Sequence, residues 1–324
     1  MPAPPVGEKM RRFALAFFAA LIGLAIAVPP APAADKPLEK VTFGYFPVAD
    51  FLMVFIAKDQ GFFAAHGIDA TLQLMTSNAT SIPSALVGNS IQVGGTTLPV
   101  VLQADDSGLN VKAIAGSGSY FPGSKASAIV VPAGSPAKSP KDLEGKSVGV
   151  TGLNNMVHIV LVKWFADQGA DPKKIHFVEI QIQQTPDLIK AKTVDAAVAF
   201  DPFLTRIIQS DSGRVLSYYT DFIPQGTATM VWAVAGDFAA AHPETVKNIR
   251  AAMADALAYH DAHPDEDDAT LAKYLPVPPA ILKTIPRSPY INGVSASQVT
   301  YWSGLMTAQK LIAKPADPKA VLVP

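Results

Sequence analysis

There is no cysteine anywhere in the 324 residues. That excludes a disulfide framework, and it excludes the lipid-modified cysteine that tethers some exported proteins to a membrane. Charge is sparse too. Charged residues make up 16% of the chain and the formal net charge is −1, so the basic footprint of a protein that binds nucleic acid or anionic membranes is missing. The pronounced apolar run, Phe13 to Val28, is shorter than the ~20 residues a membrane-spanning helix needs. Catalytic signatures are also missing: there is no G-x-S-x-G elbow, no Walker-type phosphate loop and no H-E-x-x-H helix.

What is present is a core. Hydrophobic residues make up 49% of the sequence, which describes a packed globular chain, and the length exceeds what one hydrophobic core usually serves. Two lobes are therefore expected. The first residues belong to another class. Lys9, Arg11 and Arg12 precede the apolar run, Pro29-Pro30 ends it, and Ala31-Pro32-Ala33 supplies small residues. This order predicts a secretory signal peptide over 1–33 and a periplasmic location for the mature protein. Cleavage there would leave 23 basic and 26 acidic residues, a net charge of −3.

From Val41 onward the pattern alternates strand and helix. Strands are predicted at Val41–Phe46, Ile68–Leu74, Ile91–Gly94 and Val111–Ala115, with helices between them. A Gly, Ser and Pro-rich stretch from Ala115 to Lys125 breaks the rhythm, as a crossing between lobes would. A second series follows, with strands at Ala128–Pro132, Ser147–Thr151, Ile175–Ile180 and Asp195–Phe200. Its helix Asn155–Gln168 places Val157, Val160, Leu161, Trp164 and Phe165 on one face. Thr185-Pro186 and Asp201-Pro202 read as caps followed by proline at the first helical position. Thr229–Ala235 reads as the returning crossover strand, and two helices, one opened by Pro243 and one over Ser295–Ala313, complete the chain. The reading is α/β: parallel sheets in two lobes, 41–124 with 237–324 and 125–236, joined by two hinge crossings.

In open α/β sheets ligands collect beyond the carboxyl ends of strands, beside helix N-termini whose N–H groups lack partners. In the first lobe that rule selects Tyr45, Phe46 and nearby Asp50, then Ser77, Asn78, Thr96 and Thr97. In the second it selects Asn154, Asn155, His158, Asp201 and Phe203. Tyr120 and Thr227 join them from the crossings. Tyr45, Asn154 and Asp201 are expected to serve one ligand site from both lobes, against the plainer reading of two caps and a core tyrosine. His260, His263, Asp265, Glu266, Asp267 and Asp268 cluster in sequence, but they lie in a polar, Pro-containing stretch that reads as a solvated turn. No metal site and no cofactor are expected.

Several segments resemble the binding proteins of ABC importers of the nitrate, sulfonate and taurine type, a family that also includes binders of thiamine's pyrimidine precursor. They are Gly44-Tyr45-Phe46-Pro47, the stretch Ile56 to Phe63, and Lys141 to Val148. Val194-Asp195-Ala196, Phe200-Asp201-Pro202-Phe203 and His242 to Val246 complete the set. The resemblance implies a type II periplasmic-binding-protein fold with a cleft between lobes. It also implies a monomer that delivers a small organic or anionic solute to an inner-membrane permease driven by an ATPase. Sulfonate-binding relatives carry Gly-Ser and then His at the helix start of the second lobe; here Gly152 and His158 stand, with Leu153-Asn154-Asn155-Met156 between or beside them. A sensor or accessory binder is the alternative, and an enzyme on this fold a further one, although the similar thiamine-pyrimidine synthases and porphobilinogen deaminases rely on cysteine.

Overall fold

The computed structural model describes residues 1, 37–76, 78–121, 123–220, 223–283 and 287–324. The expected signal peptide, apart from Met1, and Ser77 lie outside the described residues. Among these residues no helix is long and apolar enough to cross a membrane.

The first sheet is built from β1 (Glu39–Tyr45), β2 (Ile68–Leu74), β3 (Val93–Thr96), β4 (Val111–Gly116) and β10 (Val231–Ala235). The second contains β5 (Ser127–Pro132), β6 (Ser147–Val150), β7 (His176–Glu179), β8 (Ala196–Phe200) and β9 (Gly213–Ser217). Their strand orders are β2-β1-β3-β10-β4 and β7-β6-β8-β5-β9. The two halves thus repeat one topology, with a single antiparallel strand in fourth place.

That antiparallel strand corrects the expectation of parallel sheets. Parallel neighbours need a helical crossover to return the chain to the same edge. β5 and β10 have none, because each is reached straight from a hinge crossing. Such a strand starts at the cleft end and must run away from it, while its neighbours run toward the cleft. β10 pairs with β3 and β4, so Val231–Ala235 lies in the first lobe's sheet, upstream of the expected re-entry at 237.

The cores follow from apolar alternation. In β1, Val41 and Phe43 are buried, and the Phe43 ring packs on Phe63 at 4.8 Å and edge-on to Trp232 at 5.9 Å. Trp232 in turn holds the Phe51 ring at 4.7 Å, which lies so close to Gly95 that a Cβ there would come within 2.4 Å of Phe51 Cζ. Four helices bear on the site. They are α1 (Leu52–Asp59), α2 (Leu98–Asp106), α3 (Met156–Asp167) and α4 (Phe203–Gln209). The five residues expected on the inner face of α3 are all buried, and Asn155 caps it by accepting from the His158 N–H at 3.1 Å. Two expected starts shift. Pro186 is the second residue of its helix, behind a Gln184 cap, and Pro202 precedes α4 instead of opening it.

The two crossings, 117–126 and 218–230, pair with each other. Tyr120 N–H donates to the Thr227 carbonyl, Gly226 N–H to Tyr120 and Thr229 N–H to Gly118, each at 2.8 Å. A third segment joins them, with Ser119 N–H on the Pro289 carbonyl at 2.8 Å and Ile291 N–H on Ser117 at 2.6 Å. The Gln298 amide brackets the ladder, donating to the Gly226 carbonyl at 3.0 Å and accepting from Ala228 N–H at 3.3 Å. Residues 38–324 thereby form one compact unit.

Candidate functional site

A cavity of about 120 Å³, room for roughly ten water-sized atoms, lies between the lobes. Its walls come from the segments that follow β1, β2 and β3 in the first lobe and β6, β7 and β8 in the second. Phe46, Val48, Met156, Ile182, Phe200 and Met230 supply apolar surface. Asp50, Asn78, Thr97, Asn155, Gln181, Gln183 and Asp201 supply polar groups. The crossings contribute Tyr120, Ser124 and Thr229.

The structure gathers seven of the sequence-predicted residues around this space: Phe46, Asp50, Asn78, Thr97, Tyr120, Asn155 and Asp201. The other predicted residues that the structure describes lie behind it or beside it. Tyr45 is buried in an aromatic cluster, edge-on to Phe55 at 5.0 Å, with its hydroxyl 3.4 Å from the Tyr274 carbonyl. Thr96 is buried and donates to the Ala79 carbonyl at 2.9 Å. Asn154 is exposed, with a left-handed φ of 59°, and its N–H donates to His158 Nδ1 at 2.9 Å. His158 stacks edge-on to Phe177 at 4.4 Å, and burial pushes its pKa down. Phe203 is buried in α4, and Thr227 serves the hinge through its carbonyl.

Gln181–Gln183 and Thr229 were not anticipated. The glutamines follow β7, so the rule that found the other loops, applied to that strand as well, would have found them. Thr229 carried no such signal, because it reaches the cavity only through the pairing of the crossings. The histidine–acid stretch forms pairs: His260 Nδ1 meets Asp267 at 2.9 Å, and Arg287 meets Asp268. Among the described residues no three metal-type side chains converge.

Thr97 is the most telling polar group. It stands at the N-cap of α2, where a threonine hydroxyl ordinarily accepts from the first turn. That bond is not made. Thr97 is 4% exposed and its Oγ1 has no partner among the described residues, although buried polar atoms are nearly always paired. Asp50 is held by the Thr229 hydroxyl, and burial raises its pKa. Both need Gly118, whose Cβ would lie 2.8 Å from Thr229 Oγ1 and 2.9 Å from Asp50 Cγ. Asp201 accepts from the Thr205 N–H at 3.0 Å and the Thr205 hydroxyl at 2.6 Å, both on Oδ1. Burial nonetheless pushes its pKa up to about 6, against those bonds and the charge of Arg287. Among the described residues, no lysine, arginine or histidine borders the cavity.

The lobes also touch across the cleft. Asn78 stands at the N-cap of the helical turn after it without a side-chain bond to that turn; its amide donates to Glu179 in the second lobe at 3.0 Å. The other Glu179 oxygen accepts from Leu153 N–H at 3.3 Å. Gln103 of α2 donates to the Asn154 carbonyl, and Gln309 to Ile159 at 2.9 Å. Gly152 passes so near the first lobe that a Cβ would sit 3.2 Å from Thr80.

Known proteins share this architecture. The alkanesulfonate-binding protein SsuA from Xanthomonas axonopodis, solved with MOPS bound, superposes with a TM-score of 0.76 at 20% identity, over 89% of this chain and 99% of that one. The periplasmic nitrate-binding protein NrtA from Synechocystis gives 0.74 at 14% identity, over 88% and 86%. In sequence, a candidate binding protein of Brucella abortus is 27% identical over 233 residues, 71% of this chain and 69% of that protein. Residues 48–267 match the family described as NMT1/THI5 like. With both sheets, both crossings and most of the cavity wall inside or beside that span, the chain belongs to the NMT1/THI5-like family and has the type II periplasmic-binding-protein fold of its sulfonate- and nitrate-binding structural neighbours.

Proposed function

We propose that this protein is an extracytoplasmic solute-binding protein that encloses one small organic solute between its lobes and delivers it to an ABC permease and its ATPase. The observation that carries the reading is the shared wall. Asp50, Asn78 and Thr97 face the cavity from one lobe, Asn155, Gln181 and Asp201 from the other, so neither lobe alone makes the site. Two lobes joined by paired crossings can rotate about that ladder, and a ligand that bonds to both stabilises the closed form by its preference for it. The neighbours' named roles in binding alkanesulfonate and nitrate support a solute of small size. In this reading the mature protein acts as a periplasmic monomer after removal of 1–33. The first lobe runs through 38–116 and 231–324 and the second through 127–217, and the cavity residues act by binding, not catalysis.

The test is small-angle scattering on the mature chain, titrated with the solute that saturates it in a thermal-shift screen. The expected outcome is a smaller radius of gyration in the bound form and a raised melting temperature. Saturable binding with no compaction would refute closure as the mechanism.

A further inference from the structure

We infer that the solute is a small organic cation: a protonated nitrogen on a compact apolar body, recognised by Asp50 from the first lobe and Asp201 from the second. The inference rests on the binding-protein reading and names the ligand class for the same cavity.

Three observations converge on it. The first is the sign of the lining. Two carboxylates border the cavity and no lysine, arginine or histidine does, among the described residues. An anion enclosed there would be desolvated beside like charge, which costs more than it returns, whereas a cation supplies the missing partner. Among the described residues, the basic group that acts on Asp201 is Arg287. It does not border the cavity and makes no hydrogen bond to Asp201 among the described residues: its Nη2 is engaged by Asp268 and the Leu282 carbonyl at 3.1 Å, while its buried Nη1 has no partner there.

The second observation is how the carboxylates are held. Hydroxyl and amide donors orient them, Thr229 for Asp50 and Thr205 for Asp201, and among the described residues neither carboxylate has a cationic side chain hydrogen-bonded to it. Both bonds to Asp201 fall on Oδ1, and Oδ2 takes none among the described residues. Burying an acid without a base is unfavourable for the empty protein, so a partner from outside accounts for the arrangement.

The third is Thr97. Its buried hydroxyl has no partner among the described residues and borders the same cavity, so it can accept from an N–H of the solute. Phe46, Met156, Phe200 and Met230 then receive the carbon body, and aromatic faces themselves favour cations.

The experiment uses isosteric probes on the mature chain: benzylamine as cation, benzyl alcohol as neutral form, and benzoate, benzenesulfonate and nitrate as anions. Calorimetry and thermal shift should show benzylamine bound at least about tenfold more tightly than benzyl alcohol, and no saturable binding of the anions. Asp201→Asn and, separately, Asp50→Asn should each lower benzylamine affinity at least about tenfold while leaving benzyl alcohol nearly unchanged. Should one of the two variants misfold by circular dichroism, the other still decides. If benzenesulfonate or nitrate binds and compacts the protein, the ligand class is wrong and the binding-protein reading stands. If the cation binds no better than its neutral isostere, the inference is overturned. If no probe binds and none compacts the chain, the inference falls and the closure mechanism loses its support as well.

Discussion

Asp201→Asn should make this protein more stable at neutral pH while weakening its ligand binding. The side chain is buried, and its pKa rises from the usual 3.8 to about 6 because burial outweighs the two Thr205 hydrogen bonds. Between those values the folded chain holds a proton that the unfolded chain has released. Stability from this group is therefore fully present below about pH 4 and declines as pH rises through about 6, after which it is flat. The displacement corresponds to about 3 kcal/mol of destabilisation above pH 7. An asparagine resembles the protonated acid: its Oδ1 still accepts from Thr205, and it carries no charge. Thermal unfolding of parent and variant at about pH 3.5 and about pH 7.5 isolates the effect, since other groups cancel in the difference. The two should melt alike in acid and the variant should melt about 3–6 °C higher at the alkaline end. A variant that melts at or below the parent near pH 7.5 would refute the reasoning. It would mean that Asp201 finds compensation that the two Thr205 bonds and Arg287 do not account for.

Two further substitutions separate the site from its scaffold. Gly118→Ala places a Cβ within 3 Å of both Thr229 Oγ1 and Asp50 Cγ; it should cost about 1–3 kcal/mol of stability and reduce ligand affinity at least about tenfold, read by melting and calorimetry, and unchanged affinity would show that Asp50 does not contact the solute. Tyr45→Phe removes a hydroxyl that makes one 3.4 Å contact in the aromatic cluster; stability should change by less than about 1 kcal/mol and affinity not at all, whereas a loss of affinity beyond about fivefold would return Tyr45 to the ligand.

Much of the scaffold was legible from the chain alone because its causes are local. Alternating apolar residues placed β2 at Ile68–Leu74, and the 3.6-residue stripe ending in Trp164 and Phe165 identified the helix that Asn155 caps. The break after Ala115 marked the first crossing, and the strand-end rule found the loops bearing Phe46, Asn78, Thr97 and Asp201. Only the tertiary structure decided which side chains of those loops face the cleft. Tyr45 and Phe46 are neighbours in one extended stretch, so they point opposite ways; packing of Phe55 and Tyr274 turns Tyr45 into the core and leaves Phe46 on the cavity. The direction of β5 and β10 was beyond local pattern as well, since a strand's polarity depends on where the chain enters the sheet. The meeting of Asp50 with Thr229, 179 positions apart, and of Asn78 with Glu179 across the cleft, arises from the pairing of the two crossings and the contact between lobes. No residue's immediate neighbours in the chain encode such a meeting.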